Sequence, residues 1–311
     1  MIFLRTLLIS VVLLVMACGG ENRPTSSEDS SETESRKMLV VTSNYPLYFF
    51  ASRIADGVES APDIVFPEIE GDPASWVPSA GQIQLLQLAD IVLLNGAGAE
   101  PWLNLITIDR RSLINTSENI ADLLIPIEDS IQHQHGPEGE HSHRDTAFTT
   151  WLDPQLAIVQ AQSVTNALIG LAPSGESSFR DNMAKLEQEL AQLDSRLADV
   201  FEQLSGRPVL FSHPVYQYLQ RRYDVNGKSV HWEPNEEPST PDWIELQQLL
   251  ATHPAAIMIW EDEPLASTSR RLSELAITSV TFSTVANKPG VGDYLGSMRE
   301  NAERLKFAPS F

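Results

Sequence analysis

Seven apolar residues recur at intervals of three or four between positions 177 and 204. They are Met183, Leu186, Leu190, Leu193, Leu197, Phe201 and Leu204. This spacing predicts one long amphipathic helix with a continuous apolar face. A coiled-coil dimer would give the same stripe, but the segment is short and no further heptads extend it. The spacing therefore favours a stiff helix that crosses between two halves of a single molecule.

Short apolar runs on both sides of this helix alternate with helical patterns. Strands are predicted at residues 38–42, 64–66 and 90–94 before it, and at 208–212, 255–260 and 279–282 after it. Helices are predicted at residues 83–88, 154–171, 215–223 and 242–250, the second capped by Asp153 ahead of Pro154. This alternation predicts an α/β fold of two βα lobes with mainly parallel sheets, joined by one long rigid interdomain helix.

The first residues have the features of a lipoprotein signal. Arg5 precedes an apolar run at residues 7–15, which is too short to span a bilayer and ends in Val15-Met16-Ala17-Cys18. We expect a signal peptide over residues 1–17 and a lipidated Cys18, although a secretory signal with an incidental cysteine would look similar. Cys18 is the only cysteine, so the chain can form no internal disulfide and no thiolate metal site. Residues 18–37, rich in Ser and Glu, are predicted to be a flexible tether.

Composition excludes several classes of function. Residues 1–17 carry one charge, Arg5, so the remainder keeps 42 acidic residues against 20 basic ones, a formal charge of −22. Binding to nucleic acid is therefore not expected, whereas capture of cations is compatible with this field. The chain has no Gly-x-Ser-x-Gly elbow and no phosphate-binding glycine loop, which argues against an enzyme. We expect a monomer held at the cell envelope by its lipid, on the outer face of the inner membrane, in the periplasm or at the outer membrane.

Ligands of parallel α/β sheets bind outside the carboxyl ends of the strands. Ser212-His213, Glu261 and Ser283 all lie at or directly after the ends of predicted strands in the second half of the chain. These residues are the first candidates for a binding site.

Five short motifs occur in order along the chain. They are Tyr45-Pro46-Leu47-Tyr48, Asn95-Gly96-Ala97-Gly98-Ala99-Glu100-Pro101-Trp102-Leu103, Trp151-Leu152-Asp153-Pro154, Ser212-His213 and Glu237-Pro238-Ser239. With this ordered set the chain resembles the zinc/manganese solute-binding lipoproteins of bacterial ABC transporters. The resemblance implies an amino-terminal lobe over residues 38–175, an interdomain helix over 176–205 and a carboxy-terminal lobe over 206–311. It also implies an ABC permease as the membrane partner and Zn²⁺ as the ligand, with Mn²⁺ second.

The resemblance also shows where this chain departs from the family's metal site. At the positions of the family's two histidines in the first lobe stand Ala74 and Thr149, and Ser283 stands at the position of its final carboxylate. The family's third histidine is kept as His213. Alanine coordinates nothing and neutral hydroxyls are poor ligands for Zn²⁺, so we expect no intact four-ligand site.

Other residues of the chain could replace the lost ligands. The loop over residues 132–144 holds His133, His135, His141 and His143, where zinc-specific members of the family carry a His-rich insertion. Such a loop can gather zinc, but it can also be a solvated loop whose histidines bind nothing.

Two further candidates lie in the second half of the chain. His231 could be a replacement ligand, with Glu233 on the same face of a strand, or an ordinary hydrogen-bonded histidine. Glu261 is a candidate metal-site carboxylate or the partner of a ligand. The sequence therefore predicts a metal-binding receptor with an altered site, and its alternative is a degenerate relative that acts as an envelope scaffold, adhesin or accessory protein.

Overall fold

The computed structural model describes residues 36–69, 71, 75–127, 146–204 and 206–306. The first sheet has four parallel strands in the order β2-β1-β3-β4. Its elements are β1 (Leu39–Thr42), α1 (Tyr45–Ala55), β2 (Asp63–Val65), α2 (Ala80–Leu88), β3 (Ile91–Leu94), β4 (Leu113–Asn115) and α3 (Pro154–Leu171). We call this part the amino-terminal lobe.

A second sheet of four parallel strands, in the order β6-β5-β7-β8, forms the carboxy-terminal lobe. Its elements are β5 (Val209–Phe211), α5 (Gln217–Tyr223), β6 (Gly227–Ser229), α6 (Thr240–Thr252), β7 (Ile257–Trp260), α7 (Ala266–Glu274), β8 (Thr278–Thr281) and α8 (Tyr294–Lys306). The two sheets repeat one topology, and the predicted α/β class with two parallel lobes is confirmed.

The helix α4 (Glu176–Glu202) joins the two lobes. Its apolar stripe packs against α1 and α3 of the amino-terminal lobe and against α5 and α8 of the other lobe. Residues of both sheets and of these five helices (α1, α3, α4, α5 and α8) therefore share one continuous hydrophobic core. Opening the lobes widely would expose this stripe to water, and each Å² of exposed apolar surface costs about 25 cal/mol of free energy.

Side chains at the helix starts explain where several helices begin. The Asn44 side chain accepts from the amide of Leu47 at the start of α1, and the Asp153 carboxylate accepts from the amide of Gln155 at the start of α3. Ser239 begins α6 with a reciprocal capping box. Each cap satisfies a backbone donor that the helix cannot satisfy itself. No helix in the part of the chain that the structure covers is both long and apolar enough to cross a membrane.

Candidate functional site

The carboxyl edge of the second sheet brings His213 and Glu261 together. His213 lies two residues beyond β5 and Glu261 directly follows β7, the neighbouring strand. The Nδ1 atom of His213 is 2.9 Å from Oε1 of Glu261, and both side chains are about a quarter to a third exposed. Because the pair is accessible to solvent, a cation from the surroundings can reach it.

The Glu261 carboxylate determines which ring nitrogen of His213 can bind a cation. An imidazole whose Nδ1 donates its proton to a carboxylate carries its lone pair on Nε2. The same carboxylate orients the ring and makes it a stronger base, as in many zinc sites. Glu261 therefore acts on His213 and is placed as its orienting partner.

His231 lies close to this pair. It follows β6, the other neighbour of β5, and its ring centroid is 6.0 Å from that of His213, with the ring planes 71° apart. The amide of Val230 donates to Phe211 O at 2.9 Å, and the amide of Trp232 donates to Ser212 O at 2.7 Å. These two bonds, one on each side of His231, fix its backbone against the end of β5.

The prediction that His231 and Glu233 share one face of a strand is wrong. Strand β6 ends at Ser229, so both residues lie in the loop that follows it. The loop turns toward Pro234, whose ring cannot donate a ladder hydrogen bond, so the strand does not continue. The proximity of His231 to His213 comes from the loop and not from strand alternation.

Thr149 lies at the contact between the two lobes. Its side chain is 2% exposed, and its Oγ1 donates to the carbonyl oxygen of Val215 at 2.5 Å. Val215 belongs to the tight turn after His213, in which the amide of Val215 donates to His213 O at 2.9 Å. The threonine thus contacts the loop of His213, but its proton is committed to a backbone carbonyl and it offers no strong metal ligand.

Ser283 is folded into the backbone turn after β8. Its Oγ accepts from the amide of Val285 at 3.2 Å. Its own amide donates to the Asn301 side chain at 3.0 Å, and Asn301 donates back to Ser283 O at 2.8 Å. These bonds give Ser283 and the buried Asn301 a structural role in holding α8 against the strand end.

Several predicted residues fall outside the described part of the chain. These are Ala74, the four loop histidines His133, His135, His141 and His143, and the lipidation candidate Cys18. Among residues 36–69, 71, 75–127, 146–204 and 206–306, no three His, Cys, Asp or Glu side chains are arranged to hold a metal ion together. The described site therefore consists of two neighbouring imidazoles and the carboxylate that orients one of them.

A buried carboxylate that sequence reasoning did not single out supports the other side of the lobe contact. Glu100 is 8% exposed and accepts from Ser43 Oγ at 2.7 Å and from the amides of Asn95 and Gly96 at 2.7 and 3.2 Å. The Asn95 side chain in turn donates to Phe148 O at 2.8 Å, directly before Thr149. The long motif around Asn95 is the sequence feature from which this network could have been predicted. The network positions the segment that contacts the other lobe.

Burial also keeps the tyrosine beneath the site protonated. Burial, and to a smaller extent the charge of Glu261, raise the pKa of the Tyr216 phenol well above its ordinary value. Its hydroxyl donates to Phe282 O at 2.6 Å. Tyr216 therefore ties the loop of His213 to the end of β8 and supplies no anionic ligand.

The rim of the site is acidic. Residues 231–239 and 261–269 contain Glu233, Glu236, Glu237, Glu261, Asp262 and Glu263 and no lysine or arginine. The amide of Leu265 donates to Pro234 O at 3.0 Å, so the two segments lie side by side. Carboxylates gathered in this way raise the local concentration of cations.

Known proteins share this architecture. Residues 40–308 match the family model described as Zinc-uptake complex component A periplasmic, or ZnuA. The high-affinity zinc uptake system protein ZnuA of Bacillus subtilis is 24% identical over an alignment of 309 residues that covers 94% of this chain and 93% of the relative. The zinc-binding lipoprotein AdcA of Streptococcus pneumoniae is 24% identical over an alignment of 281 residues that covers 87% of this chain but only 55% of AdcA. The chain thus spans about half the length of AdcA.

Structural similarity supports the same assignment at the level of the fold. The metal-dependent lipoprotein YcdH of Bacillus subtilis superposes with a TM-score of 0.71 at 19% identity, over 87% of this chain and 98% of YcdH. The family model covers both lobes and the helix between them. This chain belongs to the ZnuA family of zinc-uptake complex components.

Proposed function

We propose that this protein is the metal-binding receptor of an ABC importer and that its ion is Zn²⁺. The observation that carries the proposal is the 2.9 Å contact between His213 Nδ1 and Glu261 Oε1, at the sheet edge where the other lobe makes contact through Thr149. Relatives over nearly the whole chain are named as zinc uptake and zinc-binding proteins. The family consists of transport components, so we expect no enzymatic activity.

Donor chemistry favours Zn²⁺ over Mn²⁺. Imidazole nitrogen suits zinc, whereas manganese prefers carboxylate, carbonyl and water oxygens. Thr149 and Ser283 present neutral hydroxyls that are engaged with the backbone. The carboxylate of the described site, Glu261, is engaged with His213, so the described residues offer an ion mainly imidazole nitrogen. Zinc should bind with lower affinity than in a four-ligand site.

We expect the loop histidines to supply further ligands. The described segments on either side of the loop are joined, since the amide of Ala147 donates to Ile125 O at 2.9 Å. They are also tied to α5, because Tyr218 Oη donates to Ala147 O at 2.9 Å and accepts from the amide of Ile125 at 3.2 Å. His143 precedes Thr149 by six residues, a reach of at most about 20 Å in extended chain. His133, His135 and His141 belong to the same loop.

The amino terminus and the partner complete the proposal. A signal peptide over residues 1–17, lipidation of Cys18 and a tether over residues 18–37 would hold the protein at the cell envelope. The tether would let the two lobes reach an ABC permease in the same membrane. The expected state is a monomer.

One specific observation favours a second function. Both described substitutions, Thr149 and Ser283, are integrated into the fold by hydrogen bonds instead of leaving an unfilled ligand position. A relative that has lost metal delivery would show the same adaptation, and it would serve as an envelope scaffold, adhesin or accessory protein. Metal binding in solution separates the two functions.

Calorimetric titration with Zn²⁺ at neutral pH tests the proposal. We expect one zinc ion per chain, and at least tenfold weaker binding by His213→Ala. Ser283→Ala is the matched control, since Ser283 lies at the same sheet edge and is given no metal contact. Absence of zinc binding by the unmodified chain, or equal binding by the His213 variant, would contradict the proposal and favour the scaffold.

A further inference from the structure

We infer that His231 is a second zinc ligand, and that with His213 it forms the part of the metal site that the carboxy-terminal lobe supplies. This inference rests on the proposed function. Its ring lies 6.0 Å from that of His213, centroid to centroid, at the ends of two hydrogen-bonded strands.

The spacing of the two rings suits a shared ion. Zinc–nitrogen bonds of about 2.1 Å at a near-tetrahedral angle place two imidazole centroids roughly 5 to 6 Å apart. The observed 6.0 Å lies at the upper end of that range. We expect rotation of either ring about its side-chain bonds to bring one nitrogen of each ring to the same ion.

The backbone under the two histidines is fixed. His231 is flanked by the amides of Val230 and Trp232, which donate to Phe211 and Ser212 at the end of β5. The Trp232 ring is buried and packs against Trp243 and Trp260, with centroids 4.8 and 6.2 Å away. Ligands that are held by rigid elements lose little freedom on binding, and this favours a preformed two-histidine site.

The two described family positions that lost a ligand are occupied by other interactions. Thr149 donates to Val215 O, and Ser283 accepts from the amide of Val285. The first of these lies in the amino-terminal lobe, so that lobe offers no strong ligand at Thr149.

The acidic rim favours a divalent cation at this place. Glu233, Glu236 and Glu237 lie on the loop that carries His231, and Asp262 and Glu263 follow the orienting carboxylate Glu261. Thr281 Oγ1 donates to Glu263 Oε2 at 3.0 Å, which holds that side of the rim against β8.

Zinc titration of the whole chain and three variants tests the inference. His213→Ala, His231→Ala and the double variant are compared with Asn235→Ala, an uncharged change in the same loop as His231. We expect each histidine variant to bind zinc at least tenfold more weakly. The double variant should be little weaker than either single one, because ligands of one ion are strongly coupled. Asn235→Ala should bind like the unmodified chain.

The outcomes separate this inference from the proposed function. Zinc binding by His231→Ala within twofold of the unmodified chain, together with a loss in His213→Ala, would overturn the inference and leave the proposed function standing. Failure of the unmodified chain to bind zinc would overturn both. Thermal unfolding without metal shows whether each variant is folded, and His231→Gln, which keeps size and polarity, replaces the alanine variant if that one melts lower.

Discussion

The hydroxyl of Thr149 in the amino-terminal lobe donates a 2.5 Å hydrogen bond to the carbonyl oxygen of Val215 in the other lobe. This bond stands at a position where the family resemblance implies a histidine ligand. It joins the segment before α3 to the turn that carries His213. A contact between the lobes therefore occupies the position at which the resemblance implies a metal ligand, and substitutions at Thr149 test that implication.

The first prediction is that a four-ligand site can be rebuilt. Ala74→His, Thr149→His and Ser283→Asp, together with His213, supply three imidazoles and a carboxylate, a set that suits Zn²⁺. Zinc affinity should rise by more than a hundredfold, and the melting temperature should rise with zinc by mass action on the folded state. Calorimetry and thermal melting measure both. An unchanged affinity would show that these positions do not converge.

The second prediction concerns the loop over residues 132–144. Deleting it removes His133, His135, His141 and His143 but leaves His213 and His231, so zinc binding should weaken without disappearing. The bond from the Ala147 amide to Ile125 O brings the loop ends together and makes a short replacement linker feasible. A variant with the four histidines replaced by serine is the control for loop length. Equal zinc binding by the deletion and the unmodified chain would exclude the loop as a source of ligands.

The third prediction addresses the ion pair that joins α4 to α5. Arg222 donates to both carboxylate oxygens of Asp194, at 2.9 and 2.5 Å, and Gln155 and Tyr223 add hydrogen bonds at 2.8 and 3.0 Å. Burial alone raises the pKa of Asp194, but these hydrogen bonds outweigh it and hold that pKa below its ordinary value. Asp194→Asn should cost about 1 to 2 kcal/mol of unfolding free energy at pH 7, since Arg222 is partly exposed.

The direction of the pH dependence follows from the lowered pKa. The ionised Asp194 stabilises the fold fully above the unfolded-state pKa, near 4, and this contribution disappears as pH falls through the lower folded-state pKa. Urea unfolding at several pH values should therefore show that the unfolding free energies of the unmodified chain and of Asp194→Asn converge in acid. Glu189→Gln, which breaks the more exposed pair with Arg53, should cost less than about 1 kcal/mol. If the unfolding free energy of Asp194→Asn stayed below that of the unmodified chain by a constant amount down to pH 2, this explanation would be wrong.

The fourth prediction tests the network that supports the lobe contact. Gly96 has φ of +77°, and a Cβ atom added there would lie 2.0 Å from Oδ1 of Asn115. Gly96→Ala should therefore destabilise the protein by about 1 to 3 kcal/mol. Gly81→Ala in α2, where an added Cβ meets nothing within 4 Å, should be neutral or slightly stabilising. Chemical denaturation of both variants compares them, and equal stability would mean that the turn adapts.

Periodicity and capping predicted the scaffold well where the apolar pattern was regular. The long helix was expected over residues 177–204 and occurs as Glu176–Glu202, and Asp153 caps α3 as predicted. Helix α1 (Tyr45–Ala55) was not predicted, and most of its residues are apolar and buried. Strand β6 (Gly227–Ser229) was missed because three small or polar residues carry no strand signal, and its sheet neighbours define it.

The site was predictable only in part. The rule that ligands bind at the carboxyl ends of strands placed His213 and Glu261 at one edge, and the structure shows them 2.9 Å apart. The neighbourhood of His231 depends on a loop that turns after Ser229 and on bonds from Val230 and Trp232 to β5. Such tertiary contacts leave no periodic pattern in the sequence, so the prediction of a strand at His231 was wrong. His231 nevertheless lies near His213.

The fifth prediction concerns motion on binding. The apolar stripe of α4 packs on helices of both lobes, so a large rotation would expose buried leucines. Hydrogen exchange with and without saturating zinc should show added protection in residues 132–149 and around His213 and His231. Exchange along α4 should stay unchanged. Strong protection changes within α4 would show that the lobes rotate after all.

The most direct test of metal capture at His213 is an anomalous difference map, recorded at the zinc absorption edge from crystals grown with one equivalent of Zn²⁺. We expect one dominant peak about 2.1 Å from Nε2 of His213, with Glu261 still bound to Nδ1. A dominant peak that lies away from His213, or a map without any zinc peak, would contradict it.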